Sequence, residues 1–117
     1  MALSSQYTIS IIICTFNRAK DLNRCLESLT RQASKNFEVV IVDAGSTDNT
    51  EKIISKYSRQ LNIQNLVCPE QSLSKTRQLG LVNAYAKYVA FVDDDVSVSP
   101  EWTKSITNIF QKNKKGR

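Results

Sequence analysis

The sequence predicts an α/β domain, a mainly parallel sheet of about four strands with helices on both faces. Three observations carry that expectation. Strand-like and helix-like segments alternate along the 117 residues. The first two strand segments are almost continuously apolar and rich in β-branched residues, as a strand covered on both faces has to be. Several strands also end on polar groups, which a parallel topology gathers along one edge of the sheet, where such folds bind ligands.

Residues 8–15, TISIIICT, form the first expected strand. Leu22, Cys25, Leu26 and Leu29 then recur at helical spacing through 21–32. The second strand is 37–43, FEVVIVD, ending on an acid. After it, Asp48 and Glu51 fit a capping pair three residues apart, and Ile53, Ile54, Tyr57 and Leu61 continue a helical stripe. A weaker third strand, 63–68, closes at Pro69. Ser72 is placed to cap a helix over 73–87, whose apolar faces are less clean. Residues 88–92, YVAFV, form the fourth strand. Ser99 as cap and Pro100 at the first helical position open the last helix, where Trp102, Ile106, Ile109 and Phe110 share a face.

Composition bounds the answer. The length suits one domain spanning 1–117, and 41% apolar residues suffice for a core. Sixteen basic against eleven acidic residues give a net charge of +5. Part of that excess sits in the basic tail at 112–117, KNKKGR, which reads as a solvated end. Nucleic acid is not an expected partner. Cys14, Cys25 and Cys68 show no paired spacing, and with no visible secretory signal they read as buried thiols of a reducing compartment. Histidine is absent, which excludes Ser-His-Asp and Cys-His catalysis and the commonest zinc ligand. No apolar run approaches the ~20 residues that span a bilayer.

The chemistry concentrates at Asp93-Asp94-Asp95, directly after the fourth strand. Adjacent carboxylates repel one another, more so where water is partly excluded, so a positive partner is expected there. The bland reading is a solvated turn. In an extended segment Asp93 and Asp95 point to one side, and hard oxygen ligands at that spacing suit Mg²⁺ or Mn²⁺ together with substrate phosphates. The glycine-rich phosphate cradles are missing, with only Gly45, Gly80 and Gly116 in the chain. A diphosphate then requires a metal ion and cationic side chains, for which Arg77 and Lys75 are the candidates. Taken singly, Asp43 reads as a turn former, Asp48 as a helix cap and Arg77 as a surface residue; their joint placement at strand ends is what points to a site.

Four blocks in order resemble the nucleotide-binding half of a family 2 glycosyltransferase, which implies a Rossmann-like GT-A fold over roughly 9–112. They are SIIICTFNRAKDLNRCLESLTRQ, FEVVIVDAGSTDNT, LSKTRQLGLVNAYAKY and FVDDDVSVSPEW, the last resembling the family's D-x-D block. The resemblance implies that Thr15, Phe16 and Asn17 line the base and ribose pocket. It implies that Asp43 contacts the nucleoside and that Arg77 faces the diphosphate. Asp93, Asp94 and Asp95 become the D-x-D site, with Asp93 and Asp95 toward metal and Asp94 toward the nucleotide. The implied donor is a nucleotide-diphosphate sugar of UDP, TDP or GDP type. The implied reaction is inverting transfer, with Mg²⁺ or Mn²⁺ stabilising the leaving diphosphate.

Two departures shape the expectation. Ala44 replaces the second acid of the family's V-D-D-G-S block, which leaves the base open. The family's acceptor half, with its usual general base, has no counterpart here, so the chain is expected to be truncated and its catalytic base stays unassigned. The alternative is a non-catalytic nucleotide- or metal-binding or interaction module. A nucleotidyltransferase fits less well, lacking a glycine-rich basic loop after the first strand. A phosphoacceptor receiver fits poorly because Thr15-Phe16-Asn17 stand where its acid pair belongs. The expected acceptor is a glycan or a lipid-linked molecule. The expected location is cytoplasmic, with peripheral contact at the inner face of a membrane. An apolar edge left uncovered gives an expectation of self-association.

Overall fold

The computed structural model describes residues 7–115. Four strands and four helices alternate, as the patterning requires: β1 Ile9–Thr15, α1 Ala19–Thr30, β2 Phe37–Asp43, α2 Thr50–Tyr57, β3 Ile63–Val67, α3 Leu73–Asn83, β4 Tyr88–Phe91 and α4 Trp102–Lys115. The sheet is parallel throughout, in the order β3-β2-β1-β4. β1 and β2 pair over their whole length, from Ile9 opposite Phe37 to Thr15 opposite Asp43.

The period-two alternation of a strand divides β1 and β2 between two layers. Ile9, Ile11 and Ile13, with Val39 and Ile41, face α1, α2 and α4; Leu22, Cys25, Leu26, Leu29, Ile54 and Tyr57 complete that core. Ile12, Val40 and Val42 face the other way, toward α3. Helices therefore cover both faces, three on one and one on the other.

α3 has no apolar stripe because it touches the sheet through small residues. Its buried positions are Thr76 and Gly80. A Cβ at Gly80 would lie 2.6 Å from Ile12 Cγ2, so glycine permits this close approach. Leu73, Leu81 and Val82 point outward instead, at 59%, 46% and 70% exposure.

Several boundaries differ from the expected ones, each for a local reason. α3 stops at Asn83 rather than 87, because the next backbone donors are claimed from beneath. Tyr85 N donates to Glu38 Oε2 at 2.6 Å and Ala86 N to Ser10 Oγ at 3.0 Å. Glu38 is itself buried in β2 and satisfied by Ser10 and Gln64. α2 ends at Tyr57, and Leu61 reaches the core from the turn that follows. Glu51 caps nothing; Asp48 alone accepts from Thr50 N at 3.0 Å. α4 starts at Trp102 because the carbonyls of Ser99 and Pro100 accept from Gln32 Nε2 and Ala33 N at 2.7 and 2.8 Å. α4 runs into the basic 112–117 segment, of which residues 116 and 117 lie outside the described residues.

Candidate functional site

In the order β3-β2-β1-β4 the chain leaves β1 in one direction and returns to its other side as β4. Such a switch point opens a crevice at the carboxyl ends of the two strands. A cleft of about 590 Å³ lies there. Thr15, Phe16 and Arg18 line it from the end of β1, Asp93, Asp94 and Asp95 from the end of β4, and Thr76 and Arg77 from α3.

The acidic residues form a turn, not the extended segment expected. Val96 N donates to Asp93 O at 3.2 Å, closing Asp93–Val96. The middle carboxylate turns inward: Asp94 is 7% exposed and accepts from Thr15 Oγ1 at 2.9 Å. Asp93 and Asp95 stay exposed at the rim. Burial is the main reason that the Asp94 carboxyl titrates above its ordinary value, opposed by the Thr15 hydrogen bond and the nearby Arg18 charge. Beneath the turn, Cys25 Sγ points at Asp93 O from 3.8 Å. Burial, followed by Asp94 and Asp95, pushes that thiol up to about 12, so it is a core thiol and not a nucleophile.

α1 and the turn that follows it fasten this segment. Cys25 and Ser28 lie on α1, and Gln32 comes just after its C-cap, Arg31. Ser28 Oγ accepts from Val98 N at 3.1 Å, and Gln32 Oε1 accepts from both the N–H and the hydroxyl of Thr103 at 2.9 Å. The acidic turn is thereby anchored to a rigid element, as a ligand-binding constellation requires.

Arg18 supplies the facing positive charge. Its Nη1 lies 3.6 Å from Asp94 Oδ1 and 3.7 Å from Asp95 Oδ2, with half of the side chain exposed. Ion pairs of this exposure contribute about 0–1 kcal/mol. Arg77 sits elsewhere on the wall, its guanidinium 5.5 Å from the centre of the Phe91 ring. Lys75 does not face the cleft; it pairs with Glu70 at 3.1 Å on the surface.

Asn17 and Asp43 do not line the cleft. Asn17, at φ 53, clasps the loop after β1 to the loop after β2. Its N–H donates to Ser46 Oγ, and its Oδ1 accepts from Thr47 N, both at 2.8 Å. Asp43 is buried, and its Oδ1 accepts from Ser46 N at 2.9 Å. Both side chains build the loops that carry the site. Arg18, Thr76 and Phe91 are among the lining residues that the sequence did not single out for the site. Arg18 was legible in the polar Thr15-Phe16-Asn17-Arg18 end of β1, whereas Phe91 reads as one more buried strand residue although it is 43% exposed.

Among the described residues no three or more acids or cysteines converge as a metal cage. The donor set instead suits a hard cation held by one or two carboxylates, with phosphate oxygens and water filling the remaining positions. Asp93 and Asp95 at the rim fit that arrangement, and Asp94 is committed to Thr15.

Comparison with known proteins places this geometry in a family. The chain is 37% identical over 105 residues to a chondroitin synthase of Escherichia coli, covering 87% of this chain and 15% of the synthase. It superposes on the crystal structure of S. aureus TarS 1–349 with a TM-score of 0.84 at 32% identity, covering 90% of this chain and 32% of that one. TarS 1–349 in complex with UDP-GlcNAc gives a TM-score of 0.82 at 33% identity. The chain thus spans a third or less of these proteins. Residues 10–116 match the profile of glycosyl transferase family 2, and the chain belongs to that family.

Proposed function

We propose that the cleft binds a nucleotide-diphosphate sugar together with Mg²⁺ or Mn²⁺, as the donor site for inverting transfer of the sugar to a glycan or lipid-linked acceptor. The observation that carries this reading is the meeting of acidic and cationic groups in one cleft at the β1/β4 switch point. The carboxylates of Asp93, Asp94 and Asp95 share its walls with the guanidinium groups of Arg18 and Arg77. UDP is the first donor class to test, since TarS, a third identical, is solved with UDP and with UDP-GlcNAc.

In this reading Thr15 and Phe16 form the nucleoside end of the cleft, with Ala44 beside them in place of an acid. Asn17 and Asp43 act by holding those loops. Arg77 faces the diphosphate. Asp93 and Asp95 would hold the cation, whose charge offsets the developing negative charge on the leaving diphosphate. Asp94 orients the turn and reaches the nucleotide side. The base that takes the acceptor's proton has no assigned residue. The proposed setting is the cytoplasmic face of a membrane; among the described residues no helix is long and apolar enough to cross one.

Calorimetric titration with UDP, TDP, GDP and CDP, each with and without Mn²⁺, tests the reading. Metal-dependent binding of one diphosphate is expected, and Asp95→Ala is expected to abolish the metal dependence while the far-ultraviolet spectrum stays unchanged. Absence of binding from folded protein would leave the cleft as scaffold.

A further inference from the structure

We infer that Arg18 holds the place of the cation at the acidic turn and exchanges with it when a nucleotide diphosphate enters. The inference rests on the donor-site reading above and adds a role for a residue outside the D-x-D pattern. One nitrogen, Arg18 Nη1, faces carboxylates of two adjacent residues, at 3.6 Å from Asp94 and 3.7 Å from Asp95. Charge-assisted hydrogen bonds run about 2.7–2.9 Å. The contact is therefore one of charge without a directional bond, made by a side chain 53% exposed, and it is easily given up.

Two further features fit an exchange. Asp94 is fixed through its other oxygen by Thr15, so the acidic turn keeps its shape when Arg18 leaves. Arg77, the second guanidinium of the cleft, rests against Phe91 and not on the carboxylates. Among the described residues Arg18 is the cationic side chain paired with Asp95, a carboxylate that would hold the divalent cation. A guanidinium and a dication cannot share that position without strong repulsion. A diphosphate resolves the conflict, because it brings negative charge for the released guanidinium at the moment the cation arrives. Cation alone should then bind weakly and cation with nucleotide much better, and Arg18 should couple the two with opposite signs.

Arg18→Gln removes the charge at nearly constant length, and Arg18→Lys keeps it. The probes are Mn²⁺ alone, followed by electron paramagnetic resonance, and UDP at saturating Mn²⁺, followed by calorimetry. Arg18→Gln is expected to bind Mn²⁺ alone roughly three- to tenfold more tightly at low ionic strength, with the gain shrinking in salt. The same variant is expected to bind UDP about tenfold or more weakly. Arg18→Lys should stay near the parent in both assays. A side chain that merely holds its loop would move both affinities in one direction, together with the unfolding midpoint.

Unchanged or weaker Mn²⁺ binding by folded Arg18→Gln overturns the exchange, as does unchanged UDP binding. If Arg18→Gln does not fold, Arg18→Lys decides: parent-like affinity for both probes upholds a role of charge, and loss of both overturns it. Absence of UDP binding by the parent chain counts against the donor-site reading, whereas the Mn²⁺ arm reads Arg18 without nucleotide, so the two failures are distinguishable.

Discussion

Asp48 ties two helix starts with one carboxylate. Its Oδ2 accepts from Ala19 N at 3.1 Å, at the first residue of α1, and its Oδ1 accepts from the N–H and hydroxyl of Thr50, at the first residue of α2. The Thr50 hydroxyl, more than the backbone donors, holds the carboxyl below its ordinary value. A folded-state value below the unfolded one means that the ionised form favours folding. That contribution is present above the ordinary carboxyl range near ~3.9 and is lost as pH falls through the lowered value. Asp48→Ala is therefore expected to lower stability at neutral pH by about 1 kcal/mol, the usual net scale of a hydrogen bond. The gap between variant and parent should narrow below pH ~4. Comparing their thermal midpoints at each pH isolates Asp48 from the other carboxylates, and a gap that stays constant down to low pH would sink the assignment. The sequence shows Asp48 as the cap of α2, whereas the N-cap is Asn49 and Asp48, one residue earlier, accepts from Thr50. It does not show the reach to Ala19, because that contact depends on how two loops lie against each other in space.

At the scale of the element, α3 was the least legible helix and the reason is physical. Periodicity detects a helix that buries large apolar side chains, and α3 buries Thr76 and Gly80. Its position on the sheet depends on the missing Cβ at Gly80, which would meet Ile12 Cγ2 at 2.6 Å. Gly80→Ala sets two effects against each other. Alanine gains about 1 kcal/mol of helix propensity over glycine, while overpacking a closed core costs about 1–3 kcal/mol. Ile12 is fully buried in the central β1 and branched at Cβ, so it cannot swing aside, and the clash is expected to win. The urea midpoint should fall, and nucleotide binding should weaken with it, because the first turns of α3 carry Thr76 and Arg77 into the cleft. Pairing Gly80→Ala with Ile12→Ala should recover part of the loss, a coupling that a double-mutant cycle reads directly. A raised midpoint in the single variant would mean that α3 shifts freely. The contacts of Cys25, Ser28 and Gln32 were illegible for the opposite reason. These residues lie on α1 and just past its end, but their partners come about 70 positions later, and no local pattern records them.

Across the whole molecule, the alternation of elements, the parallel sheet and the convergence of strand ends on one edge were all legible, because strand burial and crossover topology follow from local pattern and simple rules. The conformation of the acidic turn was not, since Asp94 turns inward to a partner on β1. The sheet as a whole also leaves β4 paired only with β1 among the described residues. Tyr88 N and Val92 N donate toward β1, to Thr8 O and Ile12 O, so the alternate N–H groups of Val89 and Phe91 point away from it. An edge whose outward donors have no backbone partner among the described residues, beside a 43% exposed Phe91, is a template for another strand. The chain is therefore expected to self-associate reversibly through β4, with a sedimentation coefficient that rises with concentration in the micromolar range. Val89→Pro removes one outward donor without touching the ladder to β1, a position where edge strands tolerate proline. It should shift the chain toward monomer while leaving the helical spectrum intact. Concentration-independent sedimentation of the parent as a 13.2 kDa species would mean that the edge is covered in solution, and association undiminished by Val89→Pro would assign it to another surface, such as the exposed Leu81 and Val82 of α3.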